Sequence, residues 1–158
     1  MKLLVTGSRS MPYRIEVMNA ISEWYIKQDE IDITLLHGDC EHPPLERIEN
    51  AERYLPQYKE RTMWSVDKLA LEVAQRFGWK HEAHPADWYG GCDDACYHRK
   101  YANGFCPAGG PKRNKLMVDQ LDPETDVVLG FPYNSSRGTR GCIKLAEQAG
   151  LTVIVYEL

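Results

Sequence analysis

Three cysteines and a histidine stand as C-x3-C-x-H-x7-C at Cys92, Cys96, His98 and Cys106. Three thiols and an imidazole at this compact, knuckle-like spacing suit a tetrahedral structural zinc ion, and four protein ligands leave no open position for a substrate. Asp93 or Asp94 in place of His98, or simply free thiols, are the competing readings. The surrounding stretch, 89–110, is rich in Gly and Cys and has neither helical nor strand period, so something must order it. Zinc binding worth ~10–16 kcal/mol is ample for that. The loop ends at Gly109 and Gly110, so fixing it fixes the start of the next helix.

A second constellation lies in "GFPYNSSRGTRGCI", Gly130 to Ile143. Ser135, Ser136, Arg137, Gly138, Thr139 and Arg140 combine hydroxyls, a flexible backbone and two cations where a strand gives way to a helix. A helix N-terminus contributes ~0.3–1 kcal/mol to an anion, and charge-assisted bonds ~1.5–3 kcal/mol each, a sum that suits a phosphate. Simple capping by Ser or Thr explains the hydroxyls but not Arg137 with Gly138. Two further strand exits carry suitable residues. "TGSRS" offers Gly7, Ser8 and Arg9 to an oxyanion, or is a structural turn; it is not the dinucleotide fingerprint, since Met11 and Pro12 follow. "HGD" places His37, Gly38 and Asp39 where a carboxylate can meet ribose hydroxyls or an oxocarbenium-like centre; alternatively Asp39 is a cap and His37 a satisfied, partly buried histidine.

These exits require a parallel sheet. Leu3–Thr6, Ile33–Leu36, His81–His84, Val127–Phe131 and Thr152–Tyr156 are short and mostly apolar or β-branched, as befits strands covered on both faces. Between them run helical stripes. One carries Met18, Ile21 and Tyr25; a second Val66 to Phe77, with Ser65 as N-cap and Gly78 as stop; a third starts at Pro111 and ends before Pro123; a fourth spans Thr139 to Ala149, with Gly150 as its cap. The alternation predicts an α/β, Rossmann-like three-layer fold with a five-stranded, mostly parallel sheet. In such a sheet ligands bind beyond the carboxyl ends of the strands, where strand order reverses. Residues 41–64 interrupt the rhythm and read as one or two short amphipathic helices, with Leu45, Ile48 and Leu55 at helical spacing: a lid, a subunit contact or a decorative hairpin.

At 158 residues the chain is one domain. Its 43% hydrophobic and 27% charged content is that of a soluble protein, with no membrane-length apolar run and no signal peptide before the first strand, so a cytoplasmic location is expected. A net charge of −4 argues against bulk nucleic-acid binding. Arg99, Lys100, Lys112, Arg113, Lys115, Arg137 and Arg140 nevertheless all fall within about a quarter of the sequence, which suits a small anion, or else forms a solvated face. Cys40 and Cys142 read as small core residues, with Cys40 the more exposed. Trp88 either stacks on a ligand's ring or packs under the cysteine loop.

"LLVTGSR", "LLHGD", "SVDKLA", "HPADW", "GPKRNKLM", "DVVLGFP" and "SRGT", in this order along nearly the whole chain, resemble the YspA/YpsA-like branch of the SLOG superfamily, which also holds the DprA/Smf DNA-processing proteins and the LOG nucleotide phosphoribohydrolases. The resemblance implies a Rossmann-like domain, often a homodimer, that binds a nucleotide or nucleotide-derived ligand as sensor, sequestering protein or processing enzyme, frequently in phage–host conflict. Arg113, Asn114 and Met117 are similar to the LOG pattern R-K-x-x-M, and "SSRGTRGC" to G-G-x-G-T-x-x-E, so Gly138 and Thr139 would contact phosphate. Where that pattern needs Glu this chain has Cys142, and a thiol cannot replace a carboxylate beside a ribosyl cation. If N-glycosidic hydrolysis occurs, Asp39 or Asp67 must supply the carboxylate, with Arg113 on the leaving side. A nucleic-acid-binding zinc module built on Arg99, Lys100, Lys112 and Arg113, as the DprA-like relatives suggest, is a further alternative.

Overall fold

The computed structural model describes residues 1–29, 32–47, 59–94 and 96–158. Along the chain run β1 (Lys2–Gly7), α1 (Arg14–Ile26), β2 (Thr34–His37), β3 (Glu46–Arg47), β4 (Lys59–Glu60), α2 (Val66–Phe77), β5 (Lys80–Ala83), α3 (Gly109–Asp119), β6 (Val127–Phe131), α4 (Arg137–Gln148) and β7 (Thr152–Val155). All five expected strands of the main sheet form, and all pair in parallel, in the order β5-β2-β1-β6-β7. The chain builds outward from β1 through β2 to β5, then returns to the other flank with β6 and β7. Strand order therefore reverses between β1 and β6, the place where an open α/β sheet forms its crevice.

Successive strand residues point to opposite faces, and this alternation sorts the core into two layers. Leu3, Val5, Leu35, Leu129 and Phe131 are fully buried against α1 and α2, with Val17, Ile21, Leu69 and Val73. Leu4, Leu36 and Val128 point the other way, against Met117 and Val118 of α3 and Cys142 and Ala146 of α4. Burying one such aliphatic side chain contributes about 1.5–3 kcal/mol. The architecture is the expected α/β, Rossmann-like three-layer sandwich.

The helix boundaries follow local chemistry. Gly78 ends α2 in the left-handed conformation, φ 70°, which glycine adopts without a Cβ penalty. Ser65 occupies the N-cap of α2 but spends its hydroxyl on the Cys40 carbonyl, at 2.7 Å. Helix α3 begins two residues before Pro111, which sits in the first turn where its missing N–H costs nothing.

The stretch 41–64 departs from expectation at its described ends. There β3 and β4 pair antiparallel, Glu46 opposite Glu60 and Arg47 opposite Lys59. Pro43 and Pro44 push the residues before them toward extended backbone, and a ladder satisfies the facing backbone groups of the two ends. A reciprocal pair of 2.9 Å hydrogen bonds between Met11 and Trp64 holds its base to the exit of β1. Ile48 and Leu55 of the expected helical spacing lie outside the described residues. Among the described residues no helix is long and apolar enough to cross a membrane.

Candidate functional site

Beyond the carboxyl ends of β1 and β6 opens a cleft of about 540 Å³. Its floor is the exit of β1, Gly7 to Ser10, and one wall is the turn from Ser135 into α4. Gly7 is dictated by packing: a Cβ there would lie 2.5 Å from the Val66 side chain at the start of α2. Ser8 is tied into the sheet, its N–H donating to the Phe131 carbonyl and its carbonyl accepting from Val66, both at 3.1 Å. The backbone at this floor is therefore rigid, and Arg9 projects from it into solvent at the cleft.

The α4 wall settles how the serines and Thr139 are used. Ser136 is the N-cap residue, yet no side chain caps the helix; its hydroxyl donates instead to Thr139 Oγ1 at 2.8 Å. The amides of residues 137–139 have no partner within the helix, as in any uncapped first turn. A Cβ at Gly138 would meet nothing within 4 Å, so this glycine leaves the backbone open to the cleft. Arg137 lines the cleft, while Arg140 turns away to pair with Glu157 at 3.0 Å. Among the described residues Arg9 and Arg137 form no ion pair. Two cations with no ion pair among the described residues thus line the same cleft as the first-turn amides of α4.

The exit of β2 is organised differently from the expectation. Gly38 lines the cleft, but the space beside it is taken by the Arg113 guanidinium rather than a ligand. Arg113 Nη1 donates to the carbonyls of Gly38, at 2.6 Å, and His84, at 3.0 Å, while Nε donates to Asn114 Oδ1 at 2.9 Å. Asn114 Nδ2 in turn donates to the Gly138 carbonyl at 3.2 Å. Arg113 and Asn114 thus border the cleft and also clamp the exits of β2 and β5 to the α4 turn. His37 and Asp39 do not line the cleft. His37 is fully buried, its Nδ1 accepting from the Asp39 amide at 3.2 Å, and burial lowers its pKa. Asp39 adopts a left-handed backbone, φ 55°, which turns its carboxylate to Lys68 at 2.7 Å; that bond lowers its pKa. Lys68, which sequence reasoning passed over, is the residue that removes Asp39 from the cleft.

Asp67 is the carboxylate that does reach the cleft. It stands in the first turn of α2, is 6% exposed, and accepts from the Cys40 amide at 3.0 Å. Cys40 is half-buried on the cleft wall rather than a core residue. Cys142 is fully buried on the inner face of α4. Burial is the main cause that raises the pKa of both thiols, so neither is primed as a nucleophile. Trp88 does two things at once: it lines the cleft, and it stacks on Phe105 of the cysteine loop, ring centres 5.7 Å apart.

Beside the cleft, Cys92, Cys96, His98 and Cys106 converge until their ligand atoms all lie within 4.8 Å of one another. No disulfide joins them. A tetrahedral ion with bonds near 2.3 Å to sulfur and 2.0–2.1 Å to nitrogen requires S···S edges of about 3.8 Å and S···N edges of about 3.5 Å. Three of the six edges are close to these values, 3.7 Å for Cys96–Cys106, 3.5 Å for Cys92–His98 and 3.4 Å for Cys106–His98, and the others lie within 4.8 Å. His98 Nδ1 lies 2.7 Å from the Arg99 carbonyl, a contact that fixes the ring and aims Nε2 at the cluster. Donation from the Asp93 amide, followed by the nearby Lys112, lowers the Cys96 pKa to about 7. The four residues can hold a metal ion, with His98 rather than Asp93 or Asp94 completing the set.

Comparison with known proteins gives 26% identity over 155 residues with the Gene 61 protein of Mycobacterium phage D29, covering 98% of this chain and 95% of that protein. No family model matches, and no solved structure matches significantly. The chain is therefore similar from end to end to a phage protein of nearly its own length.

Proposed function

We propose that this protein binds a phosphorylated, nucleotide-like small molecule in the cleft between β1 and β6. The observation that carries the reading is the pairing of the uncapped α4 N-terminus with Arg9 and Arg137, neither of which has a carboxylate partner among the described residues. Unspent amides and unpaired guanidinium groups attract a dianion, and a cleft of about 540 Å³ has room for a sugar and a ring beyond the phosphate. The order of motifs shared with the SLOG branch supports the nucleotide class. The similarity to a phage protein accords with a role in phage–host conflict. The test is native mass spectrometry of the purified protein, followed by titration with nucleoside monophosphates and ADP-ribose-like compounds. Saturable binding that is lost in an Arg9→Ala, Arg137→Ala double variant supports the reading; equal binding by the variant sinks it.

We further propose that the Cys/His cluster holds a structural zinc ion, since the donor set and three of its ligand-atom separations suit it. About one equivalent of zinc in protein purified without added metal is the expected result, and less than about half refutes it.

One observation favours a second reading, N-glycosidic cleavage of the bound nucleotide: Asp67 brings a buried carboxylate to the cleft. It, not Asp39, would then stabilise positive charge on the sugar. Release of free base by the wild type but not by Asp67→Asn would establish this; release unchanged in Asp67→Asn would exclude it.

A further inference from the structure

We infer that a metal in the Cys/His cluster locks one wall of the cleft, so that metal binding and ligand binding there are thermodynamically coupled. The locking rests on the contacts below; only the coupling rests also on the phosphorylated-ligand reading.

The path from metal to cleft is short. Cys106 is 1% exposed and donates its amide to the Trp88 carbonyl at 2.6 Å. Its neighbour Phe105 stacks on the Trp88 ring. The Cys106 carbonyl accepts from the Gly109 amide at 3.0 Å, where α3 begins. The two glycines that open α3 are needed because segment 87–88 lies against them: a Cβ at Gly109 would sit 2.7 Å from the Asp87 carbonyl, and one at Gly110 2.9 Å from the Trp88 ring. One turn further, Arg113 and Asn114 grip the Gly38 and Gly138 carbonyls on two sides of the cleft. Lys112 adds an outer tie, pairing with Asp93 of the cysteine loop at 3.0 Å.

Remove the metal and Cys106 keeps only its backbone bonds, while the loop's own apolar packing is the small cluster of Phe105 with Trp88, Tyr89 and Tyr101, and Tyr89, Tyr97 and Tyr101 are all exposed. Trp88 and the first turn of α3 then loosen. The floor at β1 is held by the sheet and the body of α4 by its buried face, so of these two only the Gly138 carbonyl, through Asn114, is tied to the loop side. A ligand that touches both walls must reorder the loose one in the metal-free protein. By linkage the ligand must then strengthen metal binding by the same factor.

Hydrogen exchange resolved to peptides, on zinc-loaded and chelator-treated protein, tests the locking without any ligand. Zinc removal is expected to speed exchange over residues 104–114 roughly tenfold or more while β1, β6 and α4 stay protected. It should also shift tryptophan emission, and Trp88→Phe should abolish the shift. Unchanged exchange at 104–114 overturns the inference, and so does general loss of protection in β1 and β6, because the metal would then support the whole fold. Cys92→Ser, at an exposed ligand, repeats the comparison without chelator. For the coupling, AMP and inorganic phosphate are titrated against both forms. AMP binding weakened roughly fivefold or more by zinc removal, with phosphate less affected, supports it; equal AMP affinities overturn it. If neither probe binds either form, the phosphorylated-ligand reading fails and the coupling with it, while the exchange result still decides the locking.

Discussion

Arg9 and Arg137 differ from Arg14, Arg76 and Arg140, which pair with Glu72 or Glu157. Long exposed side chains without partners are costly to order only when something must hold them, so in the free protein these two contribute little to stability. Arg9→Ala and Arg137→Ala are each expected to leave the melting temperature almost unchanged and to weaken a phosphate-bearing ligand by about ten- to a hundredfold, the loss of one charge-assisted bond. Calorimetric titration beside thermal denaturation reads both quantities. Arg113→Ala should behave in the opposite sense. It strands the Gly38 and His84 carbonyls that Nη1 satisfies, which costs about 1–3 kcal/mol of stability, and it loosens the exit of β2 as well. Should Arg113→Ala keep full stability and lose only ligand affinity, its assignment as a clamp is wrong.

At the scale of elements, the floor and the α4 wall of the cleft make contrary demands on their glycines. Gly7 has no room for a Cβ, and Gly7→Ala must displace Val66 at the start of α2; a loss of about 1–3 kcal/mol is expected in denaturant unfolding. Gly138 has open space around it within the first turn of α4. Gly138→Ala should leave stability unchanged or raise it by about 0.5–1 kcal/mol, since alanine loses less backbone entropy in a helix. Ligand binding should nonetheless fall, because a methyl group would stand where the backbone meets phosphate. Retained affinity in Gly138→Ala would place the phosphate elsewhere. The elements themselves were readable in the sequence because β1, β2, β6 and β7 are short, mostly apolar runs and each helix carries a stripe; β5, Lys-His-Glu-Ala at the sheet edge and exposed throughout, is not covered on both faces as expected and follows only from its place after α2. The convergence of Cys92, Cys96, His98 and Cys106 was readable for a related reason, since their spacing is local. The described ends of the stretch 41–64 were not, because no local spacing speaks to the long-range ladder that pairs residues 46–47 with 59–60. Nor was the fate of Asp39: a left-handed φ and a lysine 29 residues away decide where its carboxylate goes, and no local pattern encodes either. Asp67 reached the cleft instead because Gly7 draws the start of α2 close to β1.

For the molecule as a whole, burial of His37 makes stability depend on pH in a defined direction. Burial lowers its pKa, with Asp67 and Asp39 opposing and His81 and Lys68 reinforcing, and half-exposed His42 is lowered as well, again by burial first. The unfolded chain therefore binds protons at a pH, about 6.5, where the folded chain does not. Stability rises with pH wherever the unfolded state holds more protons, so this contribution is complete above about pH 6.5 and is lost as pH falls toward the depressed folded values. Asp39, also lowered, acts in the same direction but in the more acidic range of carboxylates. Chemical denaturation at pH values from about 7.5 to 5.5 should show a falling midpoint, and His37→Asn, which keeps an acceptor for the Asp39 amide, should flatten the slope. A slope unchanged in that variant would assign the acid sensitivity to other groups.

The distribution of charge decides between a small anion and a nucleic acid. A net charge of −4 already repels a polyanion, and most of the cations near the cleft are engaged: Lys112 with Asp93, Lys68 with Asp39, Lys115 with Asp119 and Arg140 with Glu157, while Arg113 is turned inward to carbonyls. Of the basic residues that would build a nucleic-acid surface on the cysteine loop, this leaves Arg99 and Lys100, which form no ion pair among the described residues. Each phosphate contact on a duplex lowers the salt exponent of binding by about 0.9, so two free cations predict a slope near 2 at most and affinity in the nonspecific range. A mononucleotide held by Arg9, Arg137 and helix amides should show a similarly shallow slope, but with affinity that depends on the sugar and ring. Fluorescence anisotropy with short oligonucleotides across about 50–200 mM salt, set beside mononucleotide titrations, separates the cases. A steep slope of about 6 or more for oligonucleotides would mean that a basic surface assembles from residues engaged elsewhere in the free protein, and the small-ligand reading would have to yield.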